Sequence, residues 1–385
     1  MIIEKVGAKK IRDSRGDFTI EVSIISDVGK FVSSAPNGKS KGKYEAKSYK
    51  KSLEEDIEAI VSLSTYFSSD VLEKFDDLRR VEDVVKGHVG ANTLFALESC
   101  ALKAMAKEQK KEIWELINPN SKKIPQLVGN CIGGGLHSTT DGTKPDFQEF
   151  LLIPEIGAKE GFELNKKIKK ELEFLLKKRD KKFSSKKNDE DAWITSLGDK
   201  EVLEIISGLK VGFGVDIASS SFFKRKKYYY SNPKFERTSE EQLFYLLNLL
   251  RNFNIKYVED PFDEEDFRSF AKLLEKFPDR LIVGDDLTVT NSKRLQKAID
   301  MKSINTLIVK PNQCGSLMEV KRVVELAKAN KIKMIFSHRS GETSENILAD
   351  LAVGFEGDFI KCGITGPERE AKIKRLIEIE KDIKN

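Results

Sequence analysis

The chain has 385 residues, of which 39% are hydrophobic and 34% charged, with a formal net charge of +5. That is long enough for two domains, or for a barrel with an appended domain. No run approaches the ~18 apolar residues of a membrane span, no signal-peptide core opens the chain, and the four scattered cysteines lack the CxxC spacing of a zinc site or disulfide framework. A reducing, cytoplasmic setting fits this cysteine usage. The mild positive balance suits an anionic ligand, whereas no aromatic–basic module or zinc finger speaks for nucleic acid.

Residues 1–60 read as strands. "FTIEVSIIS" and "GKFVSSAP" are β-branched and alternating, with a turn at Asp27–Gly29 between them. The following loop, "PNGKSKGKYEA", resembles a phosphate-binding loop only superficially. Gly38 and Gly42 are one residue too close, and Tyr44 stands where Ser or Thr is needed. Residues 92–118 read as helix, with Leu94, Leu97, Ala101 and Met105 forming an apolar face. Residues 1–120 therefore make a small α+β domain.

Residues 121–385 carry a different pattern. From 211 onward, short apolar runs ("VGFGVD", "IKYVED", "LIVGDD", "TLIVK", "KMIFSH", "FIKCG") alternate with amphipathic helical segments. Such alternation implies βα units and a parallel sheet, and the number of strands suggests a (β/α)8-type barrel. The lysine-rich stretch 175–187 reads as a solvated helix end and loop.

Each run ends in a titratable residue: Asp216, Glu259, Asp285, Lys310, His338 and Lys361. The last five are spaced by 26, 25, 28 and 23 residues, each close to one βα unit. C-terminal strand ends converge on one mouth of such a barrel. Strand-end punctuation by polar residues explains one or two of them, not six. Three carboxylates there form a hard oxygen cage suited to Mg²⁺. Two lysines, a histidine and Arg339 would face that cage and suit an anionic substrate. A lysine among such cations can have a lowered pKa and act as a base. Of the three histidines, His88 reads as surface or structural. His137, in "GGGLHS", and His338, in "SHRSGE", sit where function is expected.

These strings resemble the enolase family over nearly the whole chain. "DSRGDFTIEV", "APNGKSKGKYEA", "GHVGAN", "GGGLHS…DFQEFLLIP", "VGFGVDIASSSFF", "VEDPFDEED", "VGDDLTVTNSKR", "IVKPNQCGSLMEV", "SHRSGETSENILADLAVG" and "IKCGITGPERE" follow in the family's order. The resemblance implies Mg²⁺-dependent, reversible dehydration of 2-phosphoglycerate to phosphoenolpyruvate by a cytoplasmic homodimer or higher homo-oligomer. It implies that Asp216, Glu259 and Asp285 bind a first Mg²⁺. Ser40 would help bind a second after substrate arrives. Lys310 would be the base, Lys361 a partner of the substrate carboxylate, and Arg339 and Ser340 the phosphate holders. His137, Glu149 and His338 would line the substrate. The acid is the glutamate of a GDEGG loop, for which Glu190 in "KNDEDAW" is the counterpart.

Several positions depart from the family. Both glycines after Glu190 are replaced, by Asp191 and Ala192, and Asp191 adds a charge that could raise the pKa of the acid or turn it away. Lys39 and Lys41 stand where the family has Ala and Thr. Glu378 stands where an Arg commonly bridges the dimer to a counterpart of Glu21. Two other readings stay open at this level: a superfamily enzyme acting on another phosphorylated or carboxylated acid, and a catalytically weakened Mg²⁺-binding scaffold.

Overall fold

The computed structural model describes residues 1–39, 42–67, 71–138 and 142–384. An antiparallel sheet opens the chain: β1 (Ile3–Arg12), β2 (Phe18–Ser26) and β3 (Gly29–Ser34), neighbours in that order. Ile20, Val22 and Ile24 of β2 alternate inward and are fully buried, as a sheet with one packed face requires. The strand reading of residues 1–60 ends at Ser34. Leu53, Ile57 and Ile60 recur at helical spacing, and the Ser52 hydroxyl accepts the Glu55 N–H at 3.1 Å, so this stretch is helix α1 (Leu53–Ser62). Helices α2 (Leu78–Val85), α3 (Ala91–Glu108) and α4 (Ile113–Ile117) follow. Leu97, Ala101 and Met105 of α3 are buried, and Glu98 on the same helix accepts the Leu317 N–H of the next unit at 2.6 Å.

The second unit runs through β4 (Gln126–Gly133), β5 (Glu149–Ile153), α5 (Ala158–Arg179), β6 (Trp193–Ile194), α6 (Asp199–Ser207) and β7 (Gly212–Asp216). A small antiparallel sheet of β8 (Phe223–Lys224), β9 (Lys227–Ser231) and β10 (Lys234–Arg237) is inserted before α7 (Ser239–Asn252). Then come β11 (Tyr257–Glu259), α8 (Phe267–Lys276), β12 (Leu281–Gly284), α9 (Ser292–Asp300) and β13 (Thr306–Val309). The chain ends with α10 (Pro311–Cys314), α11 (Leu317–Ala329), β14 (Lys333–Ser337), α12 (Ile347–Gly354), β15 (Phe359–Lys361) and α13 (Pro367–Lys384). Strands β4, β5, β7 and β11–β15 form a barrel closed by pairing of β15 with β4.

Strands β7 and β11–β15 pair in parallel, as the alternation from 211 onward implies. β5 runs antiparallel to both β4 and β7, because a loop without a crossover helix joins β4 to β5. A strand that returns directly must pair antiparallel.

Strand parity sets what the barrel contains. Val128, Leu151, Tyr257, Val283, Ile308, Ile335 and Phe359 form one interior apolar cluster, each from a different strand. Successive side chains alternate faces, so the residue two positions on also points inward. Two positions after five of these lie Asn130, Glu259, Asp285, Lys310 and Lys361. Apolar side chains thus fill the barrel, and polar ones emerge at its C-terminal mouth. At the matching position of β7, Gly214 leaves room for Tyr257: a Cβ there would lie 2.5 Å from the Tyr257 Cβ.

Candidate active site

The mouth is a pocket lined by groups from both units, among them Lys39, His137, Glu149, Glu190, Asp216, Asp285, Lys310, His338, Arg339, Ser340 and Lys361. Every barrel residue singled out in the sequence reaches this region. Ser40 lies outside the described residues.

Asp216, Glu259 and Asp285 end adjacent strands and are all buried. The Tyr257 hydroxyl, on the same face of β11, donates to Glu259 Oε2. Lys361 Nζ stands among three carboxylates, 2.7 Å from Glu259, 2.9 Å from Glu149 and 3.2 Å from Asp216. Lys310 Nζ pairs with Asp285 Oδ2. Burial, then the neighbouring Asp216 charge, pushes Glu259 well above the usual carboxylate range; burial also raises Asp216. Burial alone would do the same to Asp285, but Lys310 holds it below its ordinary value. The cluster is short of positive charge, and Glu259 Oε1 is buried without a hydrogen-bond partner. Hard oxygen donors in that state fit a small divalent cation.

The expectation of a lowered Lys310 pKa is not met. Burial pushes it down most strongly, but the neighbouring carboxylates, Asp285 first and then Glu259, together hold the ammonium above its ordinary range. The same is true of Lys361, with Asp216 as its strongest partner.

Glu149 owes its place to the reversed strand. It is the first residue of β5, and antiparallel pairing sets it opposite Asp216 at the mouth. His137 Nδ1 lies 3.2 Å from Glu149 Oε1 and 3.6 Å from Glu190 Oε1. Burial lowers the His137 pKa, but Glu190 and Glu149 overcome this and raise it to about 9. His338 goes the other way: burial and the Arg369 charge hold it well below its ordinary value. One imidazole is therefore a cation and the other neutral at pH 7.

The anion side of the pocket combines two units. Arg339 Nη2 donates to Glu45 Oε2 at 2.9 Å and Oε1 at 3.1 Å. Ser340 Oγ accepts from the Lys39 N–H at 2.8 Å and from Arg15 Nη1 at 3.0 Å. Gly38 has no left-handed backbone here; a Cβ would lie 1.8 Å from Arg339 Nη2, so a side chain there would displace the guanidinium.

Glu190 is 2% exposed and points into the mouth. Its Oε2 accepts from Asn130 Nδ2 at 3.0 Å. Asn188 builds the turn around it: its Oδ1 accepts the N–H groups of Glu190 and Ala192 at 3.0 and 2.9 Å. Burial raises the Glu190 pKa, but His137, Arg369 and Asn130 bring it below the ordinary value.

Comparison with known proteins agrees with this architecture. Residues 3–117 match the family description "Enolase, N-terminal domain", and residues 121–385 match "Enolase, C-terminal TIM barrel domain". The chain belongs to the enolase family. A protein named enolase from Methanosphaera stadtmanae is 36% identical over 410 aligned residues, covering 100% of this chain and 98% of that one. Enolases of Pyrobaculum aerophilum and Archaeoglobus fulgidus are 36% and 34% identical, covering 98% and 99% of this chain and 96% and 97% of their own lengths.

The departures from the enolase pattern now have a structural account. Asp191 does not face Glu190. Its backbone is left-handed (φ 62°), the region that favours the family's glycine, and its carboxylate turns outward to Lys169 at 2.8 Å and Lys187 at 2.9 Å, with Thr365 also bound. The feared charge beside the acid is neutralised elsewhere. Glu21 pairs with Lys9 at 2.9 Å, and Glu378 lies 3.7 Å from Arg375, both within the chain. His88 is exposed, as expected.

The sequence reading did not single out several residues at the site, among them Asn130, Gln148, Asp260, Asp286, Ser337, Arg369 and Glu45. Asn130 was visible as the polar side chain inside the apolar run "LVGNCIG". Arg369, 2% exposed on α13, donates to the Ser340 carbonyl at 2.6 Å and had no local signal.

Proposed function

We propose that this chain catalyses the reversible dehydration of 2-phospho-D-glycerate to phosphoenolpyruvate, with Mg²⁺ as cofactor. The observation that carries it is the convergence, in one buried pocket, of a strand-end lysine and an acid-loop glutamate around a carboxylate cluster. Asp216, Glu259 and Asp285 would hold the first Mg²⁺, and Ser40 would contribute to a second. When bound, the ions would supply positive charge against the substrate carboxylate, whose existing negative charge makes the C2 proton barely acidic.

The chain's own groups then divide the work. Lys310 removes the C2 proton as the neutral amine; the carboxylate charge that otherwise keeps the ammonium protonated would be offset by a cation held by Asp285. Lys361 compensates charge building on the carboxylate. Arg339 and Ser340 hold the phosphate, an anion suited to a guanidinium and a hydroxyl. Glu190, steadied by Asn130 and faced by His137, is ionised before substrate binds. The negative charge of the bound substrate raises its pKa, so that it takes up a proton and passes it to the departing C3 hydroxyl, while Glu149 supports it through His137. His338 lines the substrate as a neutral group. The residues around Arg339 and Ser340 favour a phosphorylated acid over other carboxylates. The buried position of Glu190 favours an enzyme over a weakened scaffold. We place this small-molecule enzyme in the cytoplasm, as a homodimer or higher homo-oligomer.

The test is direct. Purified chain with Mg²⁺ and 2-phosphoglycerate should gain ultraviolet absorbance as phosphoenolpyruvate forms. A wild-type chain that leaves the substrate unchanged would sink the reading.

A further inference from the structure

Two loops far apart in sequence meet at the mouth through Lys39 and Asp189. The Lys39 N–H is fixed on Ser340 Oγ at 2.8 Å. Its side chain extends across the rim, bringing Nζ to 3.6 Å from Asp189 Oδ2. Asp189 precedes the acid in sequence, its side chain is 12% exposed, and both carboxylate oxygens are buried without a hydrogen-bond partner. A buried carboxylate in that state is costly unless a cation compensates it. Among the described residues, Lys39 is the only cation paired with it within 4.0 Å.

The pairing partner departs from the family pattern that the sequence resembles. The enolase pattern has alanine at the Lys39 position, and it has glycine where Asn188 and Asp191 flank Asp189 and Glu190. This chain has exchanged loop glycines for residues that fix the turn from within. In Lys39 it has gained an ammonium that fixes the turn from across the pocket.

We propose that Lys39 is a positioning residue of this site: its ammonium ties the rim loop to the acid loop through Asp189 and thereby sets Glu190 over the substrate. The proposal rests on the enolase reading for what Glu190 does, but the tie itself is independent of it. Pairing requires both loops in place, so breaking it from either side loosens both. A long lysine with 36% side-chain exposure could instead be an inconsequential surface ion pair, which would leave the opposite loop untouched.

The test is hydrogen exchange by mass spectrometry on the full chain, comparing peptides covering 36–46 and 186–194. Lys39→Met keeps the apolar stem and removes the charge; Asp189→Asn removes the other partner. Each should raise exchange in both loops by about threefold to tenfold, and the double variant by no more than either single one. Lys39→Arg should restore protection. Loosening confined to the substituted loop, or adding up in the double variant, overturns the proposal.

A kinetic arm separates this inference from the assigned reaction. At saturating 2-phosphoglycerate, Lys39→Met should lower kcat by about threefold to tenfold, and Lys39→Arg should recover it. An inactive wild type with coupled loops defeats the assigned reaction alone. An active wild type with uncoupled loops defeats the positioning role alone.

Discussion

Lys169 Nζ lies 2.8 Å from Asp191 Oδ2, and this contact holds the acid loop in shape from behind. Lys169 is itself anchored, because its carbonyl accepts the Trp193 indole N–H at 2.8 Å. Asp191 occupies a left-handed position that costs a non-glycine residue roughly 1 kcal/mol. Its ion pairs and Thr365 offset that strain.

Replacing Asp191 therefore separates strain from pairing. Asp191→Ala keeps the strain and leaves the buried Lys169 ammonium short of a partner, so stability should fall by about 2 kcal/mol. Asp191→Gly loses the same pair but relieves the backbone, and should recover about 1 kcal/mol of the loss. Urea denaturation midpoints check the order; a glycine variant less stable than the alanine one would contradict it.

His137 should titrate near pH 9 rather than at its ordinary value of 6.5, since Glu190 and Glu149 outweigh its burial. The folded pKa is raised, so the protonated imidazole stabilises the fold. That contribution is fully present below about pH 6.5 and is lost as pH rises through about 9, a difference on the order of 3 kcal/mol. NMR of the imidazole in the metal-free chain reports the pKa, and Glu190→Gln should lower it. A wild-type midpoint near 6.5 would refute the assignment.

The base and the acid should fail at different steps. Lys310→Ala should lose both phosphoenolpyruvate formation and exchange of the C2 hydrogen with deuterated solvent. Glu190→Gln should lose product by roughly 10²–10⁴-fold yet still exchange C2 hydrogen, because proton removal precedes departure of the hydroxyl. Full activity in Glu190→Gln would show that another group is the acid.

Mg²⁺ should stabilise the fold in the absence of substrate. Ion at 100 times its dissociation constant adds about 2.7 kcal/mol by mass action, visible as a rise in Tm that a chelator reverses. Glu259→Gln removes a charged donor and should lower the Mg²⁺ response by at least about tenfold in midpoint concentration. An unchanged midpoint would remove Glu259 from the ligand set.

Much of the mouth was legible in the sequence because its rules are local. A strand of alternating faces places Glu259 two residues beyond Tyr257 and Lys361 two beyond Phe359, and βα alternation brings such ends together. The family's strings also survive as contiguous stretches. Glu149 was found by resemblance alone. Its arrival at the mouth depends on β5 running backwards, which the missing helix between β4 and β5 hinted at.

What the sequence by itself determined was the order of strands and helices and the identity of the groups that cap them. Three matters were decided only by tertiary structure. The carboxylate of Asp191 turns to Lys169 and to Thr365, 22 and 174 residues away, rather than to its neighbour Glu190. Lys310 is held protonated by Asp285, 25 residues away, against the expectation from its cationic surroundings. The rim is closed by Ser340 and Lys39, which lie 301 residues apart. Charge and burial at a site depend on distances between side chains, and distances between remote residues are set by packing rather than by neighbours in the chain.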